Sequence, residues 1–315
     1  MSAPLPVPVV AVVGPTAVGK SDLALDLCER LGGEVVNTDS MQLYRGMDIG
    51  TAKLTPEERR GIPHHLLDVL EVTETATVAE FQRWAREAIA DCRARGVVPV
   101  LVGGSALYVR AVLDRFEFPG TDPEVRARLE AELAEVGSGA LHRRLAVQDP
   151  EAASRILPSN GRRVVRALEV IELTGRPFSA TLPRQEYVDP ATVQLGLDCP
   201  RELLDLRIEE RVRRMWDAGL VQEVQRLEPH GLRDGLTASR ALGYQQVLEL
   251  LAGGCTEEEA FAATVQGTRR FARRQDSWFR KDPRILWLRW DDPGRADAAV
   301  RAVADGGFDR HNHPG

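Results

Sequence analysis

The apolar positions along the chain alternate between short strand-like runs and longer stretches with helical spacing. Apolar runs predict five buried β-strands, at residues 9–13, 34–37, 97–102, 193–197 and 285–288. Amphipathic spacing predicts helices between them, at residues 21–31, 78–92, 201–216, 221–227, 245–251 and 257–280. This alternation predicts an α/β fold with a doubly wound parallel sheet, like that of the P-loop NTPases.

The stretch at residues 119–190 departs from this alternation. It is rich in Arg and Glu, its apolar positions follow helical spacing, and it contains no clear strand. We therefore expect a helical insertion at 119–190 in a discontinuous P-loop core, which 1–118 and 191–290 would form. Residues 291–315 are expected to be a tail, with disorder at its end from residue 305 onward.

The first predicted strand leads directly into a phosphate-binding pattern. The residues that match G-x-x-x-x-G-K-[ST] and open the first helix are Gly14, Pro15, Thr16, Ala17, Val18, Gly19, Lys20 and Ser21. In such a loop the backbone amides bind a di- or triphosphate, the lysine adds positive charge and the serine hydroxyl binds Mg²⁺. The pattern therefore predicts a phosphate site with Mg²⁺ on Ser21, and it leaves open whether ATP or a diphosphate is bound.

Acidic residues at strand ends separate the classes of P-loop enzyme. Phosphoryl-transferring enzymes normally carry Asp at the end of a second apolar strand, but here the strand at 97–102 ends in Gly103 and Gly104. The strand-end acid is instead Asp39, which we expect to face the same crevice as the phosphate loop. Spacing alone leaves three roles open for Asp39: metal helper, general base or helix N-cap.

Composition is that of an ordinary globular protein. The 315 residues are 43% hydrophobic and 28% charged, and the net charge is −6 with a pI near 5.7. This charge argues against nucleic-acid binding through bulk charge, but it is compatible with a local basic patch. No signal-peptide pattern or membrane-length apolar run is present, so we expect a cytoplasmic protein with no membrane partner.

Metal-ligand patterns are weak outside the phosphate loop. The cysteines form no C-x-x-C pair, so we expect reduced thiols; they are Cys28, Cys92, Cys199 and Cys255. His64 and His65 are adjacent, their side chains are expected to point apart, and the sequence shows no third ligand beside them. We expect these histidines to pack or to form hydrogen bonds.

The densest basic and aromatic stretch lies in the last long predicted helix. It combines Arg269, Arg270, Arg273, Arg274, Arg280 and Lys281 with Phe271, Trp278 and Phe279. We expect Phe271 and Trp278 to pack inward. Read alone, the pattern is compatible with a solvated Arg-rich face and with an RNA-binding face.

Seven blocks of the sequence, in order, resemble the signatures of the tRNA dimethylallyltransferases, the bacterial MiaA family. The first is the phosphate loop, and the others lie at residues 39–45, 48–53, 63–66, 163–169, 241–244 and 268–280. The match extends over nearly the whole chain, to about residue 288. The resemblance implies transfer of a dimethylallyl group from dimethylallyl diphosphate to N6 of adenosine 37, beside the anticodon of tRNAs that read codons beginning with U.

The resemblance also implies roles for individual residues. The loop would hold the diphosphate of the donor, with Thr16, Lys20, Ser21 and Mg²⁺ stabilising it as it leaves. Asp39 matches the general base of the family, which accepts a proton from the attacking amine. The residues implied in tRNA binding are Asp39, Ser40, Met41, Gln42, Ser105, Arg162, Arg163, Arg166, Arg240, Gly243, Tyr244, Gln245, Arg273, Arg274, Gln275, Trp278 and Arg280. The implied partners are dimethylallyl diphosphate and the anticodon stem-loop of tRNA, and we expect a monomer.

Two positions depart from the family pattern. Ser105 stands where the family usually has Thr, so a hydroxyl is retained. Gln245 stands where relatives often carry Lys or Arg, so the positive charge of those residues is missing at this position. Arg240, just upstream, is an alternative source of positive charge.

Three other functions are compatible with parts of the sequence. An ATP-dependent small-molecule kinase would share the phosphate loop, but the missing strand-end Asp argues against it. A non-catalytic RNA-binding P-loop protein would have no need of Asp39. An isopentenyltransferase acting on free adenine nucleotides would share the loop and the base, but it would need neither the helical insertion nor the basic stretch.

Overall fold

The computed structural model describes residues 7–75, 77–116, 118–181 and 185–306. The chain divides into two compact units, one formed by Met1–Leu113 with Asp189–Gly315 and the other by Asp114–Val188. Disorder is expected at the end of the tail, and from residue 307 onward this prediction lies outside the described residues.

A parallel sheet forms the centre of the larger unit. In chain order its strands are β1 (Val9–Val13), β2 (Gly33–Asn37), β3 (His64–His65), β4 (Val98–Gly103), β5 (Thr192–Asp198) and β6 (Ile285–Arg289). The spatial order is β3-β2-β4-β1-β5-β6, and each neighbouring pair is parallel. The predicted α/β fold with its parallel sheet is confirmed. The sequence pattern does not predict β3, because a two-residue strand has no periodicity to detect.

Helices connect the strands and form the smaller unit. In chain order they are α1 (Lys20–Leu31), α2 (Val78–Ala94), α3 (Ala106–Leu113), α4 (Pro123–Val136), α5 (Ser138–Gln148), α6 (Pro150–Arg155), α7 (Gly161–Thr174), α8 (Arg201–Asp217), α9 (Leu220–Leu227), α10 (Tyr244–Leu251), α11 (Glu257–Phe279) and α12 (Arg295–Ala304). A short 3₁₀ helix at Ser40–Leu43 follows β2. Within the described ranges, no helix is both long enough and apolar enough to cross a bilayer.

The core of the larger unit lies between the sheet and the helices that cover it. All five residues of β1 are buried, as the continuous apolar run predicts for a strand covered on both faces. Within the expected tail, Arg295–Ala304 form α12, which packs on this core. Ala296, Ala299 and Ala302 of this helix are buried in the same cluster as Val10 and Leu27. Their small side chains give only a weak apolar signal in the sequence.

The smaller unit consists of α4 to α7 and has its own apolar core. Leu129, Leu141, Leu145 and Leu168 are buried together in this unit. Asp-Pro pairs start two of its helices, because the Asp side chain accepts hydrogen bonds from the first free amides and Pro needs no amide partner there. The predicted helical character of this stretch is therefore observed.

Candidate active site

The phosphate loop joins β1 to α1 in a conformation that depends on its glycines. Gly14 and Gly19 have φ angles of 139° and 100°, and Ala17 between them has a φ of 65°. A Cβ atom on Gly14 would lie 3.3 Å from the carbonyl oxygen of Leu197, a tight contact that adds to the preference for glycine at this positive φ. Val18 packs into the core, which anchors the loop from below.

The exposed side of this loop opens into a cavity of about 720 Å³ at the carboxyl edge of the sheet. Such an edge is the usual ligand site of doubly wound sheets. The loop residues that line the cavity are Thr16, Ala17, Gly19, Lys20 and Ser21. Residues from other elements that line it include Asn37, Asp39, Gln42, Asp48, Lys53, His64, Gly103, Gly104, Arg207, Arg211, Arg214 and Gln275.

Positive charge is concentrated on one wall of the cavity. Lys20 contributes its ammonium group, whose Nζ donates a hydrogen bond to the carbonyl of Pro15 at 2.7 Å. Burial, together with the charge of Arg211, lowers the pKa of Lys20 from 10.5 to about 7, and the Asp39 carboxylate opposes this shift. Burial also lowers the pKa of Arg211. This wall is suited to an anion with several negative charges.

Helix α8 supplies the arginines of this wall, although its sequence pattern predicts only a helix and no site. Arg207, Arg211 and Arg214 are spaced four and three residues apart, so they share one face of the helix. Arg207 is held in place, because its Nε donates to the carbonyl of Ala17 at 2.8 Å and its guanidinium stacks on Trp290 at 4.5 Å. The spacing was the available signal, but exposed arginines at such spacing are common on solvated helices.

Asp39 lies on the same cavity, as expected for a residue just past a parallel strand. Its Oδ1 accepts a hydrogen bond from the amide of Met41 at 2.9 Å, so it caps the 3₁₀ helix. No residue that the structure describes donates a hydrogen bond to its Oδ2. The cap and a second role as a base are therefore compatible in one side chain.

The end of β4 has no room for an acidic side chain. A Cβ atom on Gly103 would lie 2.2 Å from the Thr38 hydroxyl, and one on Gly104 would lie 2.2 Å from Gln275 Nε2. The metal-supporting Asp of phosphoryl-transferring P-loop enzymes therefore has no equivalent at this strand end. Oxygen donors that suit Mg²⁺ are available elsewhere on the cavity, in the Ser21 hydroxyl and the carboxylate of Asp39.

Gln275 connects the phosphate loop to the end of β4. Its Oε1 accepts a hydrogen bond from the amide of Thr16 at 2.9 Å, and its Nε2 donates to the carbonyl of Gly104 at 2.9 Å. The side chain is buried, so its polar atoms are committed to these contacts. These contacts give Gln275 a structural role at the cavity, and its contact with tRNA stays a prediction. Gln42 is also engaged, since its Nε2 donates to the carbonyl of Thr51 at 3.1 Å.

Tyr244 is fully buried and supports the site from within the larger unit, and its contact with tRNA stays a prediction. Its hydroxyl donates to Glu223 at 2.5 Å, and Gly243 beside it is buried as well. Glu223 also accepts hydrogen bonds from the amides of Asp48, Ile49 and Gly50 at 2.8 to 3.2 Å. The pair of Glu223 and Tyr244 therefore fixes a loop that lines the cavity. By contrast, Arg240 and Gln245 are exposed.

The basic stretch on α11 is partly committed to ion pairs. Arg273 contacts Asp205, and Arg280 pairs with Asp198 while its guanidinium stacks on Trp287 at 3.9 Å. Phe271 and Trp278 are 36% and 50% exposed, so the expectation that they pack inward is wrong. Arg274 lies beside Phe271, with its guanidinium 5.8 Å from the ring centre.

The three arginines predicted at the start of α7 are of two kinds. Arg162 and Arg163 are exposed in the first turn of the helix. Arg166 is instead used within the smaller unit, where it pairs with the buried Glu169 at 2.8 Å and donates to the carbonyl of Pro119 at 2.6 Å. The guanidinium of Arg166 is thus largely engaged within the smaller unit, and its contact with tRNA stays a prediction. Ser105 lies just before α3 and is partly exposed.

His65 lies beside two possible metal ligands that are distant from it in the sequence. Ligand atoms of Glu34, His65 and Cys92 lie within 4.8 Å of one another, a grouping that could hold a metal ion. However, Arg95 donates two hydrogen bonds of 2.7 Å to the same Glu34 carboxylate. This contact is the main cause that lowers the pKa of Glu34 to about 2, while burial raises the pKa of Cys92 to about 11. The guanidinium occupies the place of a cation, so the cluster is better described as a hydrogen-bonded ion-pair network.

Comparisons with known proteins agree with this architecture. The family model described as IPP transferase matches residues 42–282. A protein named tRNA dimethylallyltransferase from Thermobifida fusca is 67% identical over 302 residues, which are 94% of this chain and 94% of the relative. A protein of the same name from Nocardioides sp. is 65% identical over 297 residues, covering 94% of this chain and 96% of the relative.

Solved structures give the same result. The full-length tRNA isopentenylpyrophosphate transferase from Bacillus halodurans is 41% identical with a TM-score of 0.71, over 95% of this chain and 96% of that one. A eukaryotic dimethylallyltransferase, captured in crystallographic snapshots acting on tRNA, is 27% identical with a TM-score of 0.78, over 94% of this chain and 77% of that one. Sequence, fold and the ordered signatures agree: this chain belongs to the IPP transferase family.

Proposed function

We propose that this protein is a transferase that moves a dimethylallyl group from dimethylallyl diphosphate to N6 of adenosine 37. Its substrates would be tRNAs that read codons beginning with U, and its products N6-isopentenyladenosine and diphosphate. One observation carries the proposal: the phosphate loop with its positive wall and the carboxylate of Asp39 line the same cavity. Membership of the IPP transferase family supports it.

The positive wall suits the departure of a diphosphate. Breaking the bond between C1 of the allyl group and its oxygen leaves negative charge on the diphosphate, so groups that bind this charge lower the barrier. Loop amides, Lys20 and Arg211 would bind it, and Thr16 would add a hydroxyl contact. The guanidinium of Arg207, fixed by Ala17 and Trp290, faces the same loop.

Asp39 would serve as the general base. The exocyclic amine of adenine is a weak nucleophile, and accepting its proton as the C–N bond forms removes developing positive charge. The Oδ1 atom of Asp39 is held by the Met41 amide, which leaves Oδ2 to accept the proton. The target adenine must leave the stack of the anticodon loop to reach Asp39, as target nucleobases do in other enzymes that modify them.

Mg²⁺ is the metal that we propose for this site. The Ser21 hydroxyl, at the start of α1, would ligate it together with oxygen atoms of the donor diphosphate. When bound, the ion would neutralise charge on the leaving group. The site is built from hard oxygen donors, which fits Mg²⁺ better than a softer metal.

The anticodon stem-loop would contact exposed basic and aromatic groups. In the larger unit these include Arg240, Arg274 and Trp278, and in the smaller unit they include Arg162 and Arg163. Such contacts bind phosphates or stack on bases, and they weaken as salt rises. We further propose that the helical unit is an insertion in the P-loop core, and that the protein acts as a monomer in the cytoplasm.

A single incubation tests the proposal. The protein is mixed with Mg²⁺, dimethylallyl diphosphate and either unmodified tRNA or AMP, and the nucleosides are then analysed by mass. We expect N6-isopentenyladenosine from tRNA, and its loss in Asp39→Ala while tRNA binding is largely retained. Product from AMP alone would contradict the choice of tRNA as substrate. Transfer of the γ-phosphate of ATP to a small acceptor would instead indicate a kinase.

A further inference from the structure

We propose that Asn37 is a positioning residue, which holds the backbone of Asp39 so that the carboxylate faces the cavity. Asn37 is the last residue of β2 and is 3% exposed. The effect of this positioning on catalysis rests on the proposed function, in which Asp39 is the general base. The structural part of the proposal, that Asn37 orders the segment at 39–42, does not depend on any reaction.

The side chain of Asn37 brackets Asp39 with two hydrogen bonds. Its Oδ1 accepts from the amide of Asp39 at 2.8 Å, and its Nδ2 donates to the carbonyl of Asp39 at 2.9 Å. Both the entry and the exit of the Asp39 peptide are thus held by one side chain. The residue between them, Thr38, continues the ladder through a 2.8 Å hydrogen bond from its amide to the carbonyl of Val102.

A third hydrogen bond connects Asn37 to the residue that follows β3. Its Nδ2 also donates to the carbonyl of Leu66 at 2.9 Å. Leu66 has a φ angle of 62°, a left-handed conformation that costs a residue with a side chain about 1 kcal/mol or more. Such a conformation persists only where surrounding contacts impose it, and it aims the Leu66 carbonyl at Asn37.

The ion-pair network of His65 supplies one of the contacts that hold Leu66 in its left-handed conformation. His65, the residue before Leu66, donates from Nε2 to Glu34 at 2.7 Å, and Glu34 is held in turn by Arg95. Glu34 and Asn37 belong to the same strand, so β2 is attached to the segment at 65–66 at two points. The network that resembles a metal site is therefore part of the support behind Asp39.

An amide is the side chain that fits all three contacts. Two of them need N–H donors and one needs an acceptor, which a carboxylate or an aliphatic side chain does not provide. Asn37→Ala removes all three, and Asn37→Asp keeps the acceptor but sets oxygen against two carbonyls. Gln194→Ala is the matched control, because Gln194 is another amide on a strand of the same sheet, is 3% exposed, and does not line the cavity.

The catalytic test measures prenylation of tRNA under single-turnover conditions. We expect Asn37→Ala and Asn37→Asp to lower the rate by about 10- to 100-fold, the scale on which small misplacements of a catalytic group act. KM for dimethylallyl diphosphate should stay within about twofold, since the phosphate loop is untouched. A rate within about twofold of wild type, or a loss that appears in KM for dimethylallyl diphosphate instead of in the rate, would overturn the catalytic role.

Hydrogen exchange tests the structural part without any substrate. Asn37→Ala should increase amide exchange at residues 39–42 while exchange in the phosphate loop stays unchanged, and Gln194→Ala should change neither. Unchanged exchange at 39–42 overturns the proposal. If the wild-type protein fails to prenylate tRNA while this exchange pattern is observed, the proposed function fails and the positioning of Asp39 by Asn37 stands.

Discussion

The buried carboxylate of Glu223 is the group at which we expect a small chemical change to lower the free energy of unfolding most. It is 2% exposed and accepts four hydrogen bonds. Oε2 accepts from the amides of Asp48 and Ile49, and Oε1 accepts from the amide of Gly50 and the hydroxyl of Tyr244. Burial and the charge of Glu223 raise the pKa of Tyr244 well above 10, so its hydroxyl remains a donor.

Glu223→Gln preserves shape and removes one acceptor. With the new NH₂ group in the place of Oε1, the Tyr244 hydroxyl can turn to accept, and only the Gly50 amide loses its partner. The other orientation would leave two amides without acceptors, so the first is favoured. One orphaned buried amide costs about 1–3 kcal/mol, and the loss of charge from the remaining bonds adds about 1 kcal/mol. The free energy of unfolding should therefore fall by about 2–4 kcal/mol.

Urea denaturation measures this change as a shift of the midpoint at constant slope. Tyr244→Phe should cost less, about 1–2 kcal/mol, because it removes one donor and leaves the three amides bound. Glu249→Gln, an exposed change on the same helix as Tyr244, should stay within about 0.5 kcal/mol. A Glu223→Gln protein as stable as this control, with unchanged amide exchange at residues 48–53, would refute the reasoning.

Three further predictions concern charge. Because the pKa of Lys20 is lowered to about 7, binding of dimethylallyl diphosphate at about pH 8 should take up a proton, and affinity should fall as pH rises above 7. Calorimetry in buffers of different ionisation enthalpy measures this proton uptake. Binding without proton uptake would contradict the prediction. Arg211→Gln should raise KM for dimethylallyl diphosphate by about 10- to 100-fold, whereas Arg213→Gln, an exposed neighbour on the same helix, should leave it unchanged in steady-state assays. The pKa of Glu34 is lowered from 4.5 to about 2, chiefly by Arg95, so its contribution to stability is present above pH 4.5 and is lost as pH falls toward 2. Glu34→Gln should flatten this acid-side dependence in thermal unfolding scans, and an unchanged slope speaks against the pairing.

The parts of the site that sequence predicted correctly are those built from neighbouring residues. The phosphate loop lies between a strand and a helix, as its glycine spacing requires. Asp39 reaches the same cavity because parallel strands end at one edge of the sheet. The capping role of Asp39, one of three that spacing left open, is observed, and its role as a base stays a prediction.

Sequence did not reveal the burial and the contacts of several residues that it singled out. Tyr244 and Gln275 fall in family signatures on helices, and sequence alone does not reveal that both are buried. Arg166 precedes Glu169 by three residues in α7, but only the structure shows that Glu169 is buried and that the carbonyl of Pro119, 47 residues away, accepts a hydrogen bond from the same guanidinium. Phe271 and Trp278 look like core residues by type, yet α11 presents them to solvent.

The sequence by itself determined the α/β class, the phosphate loop, the family and the position of Asp39, because strand periodicity and loop geometry depend on residues close together in the chain. Only the tertiary structure decided how that site is supported. Gln275 meets Thr16 across 259 residues, Arg207 meets Ala17 across 190, and Glu223 meets Asp48 across 175. Hydrogen bonds and burial depend on distance in space, so the side chains that hold the cavity together became evident only when folding brought these segments into contact.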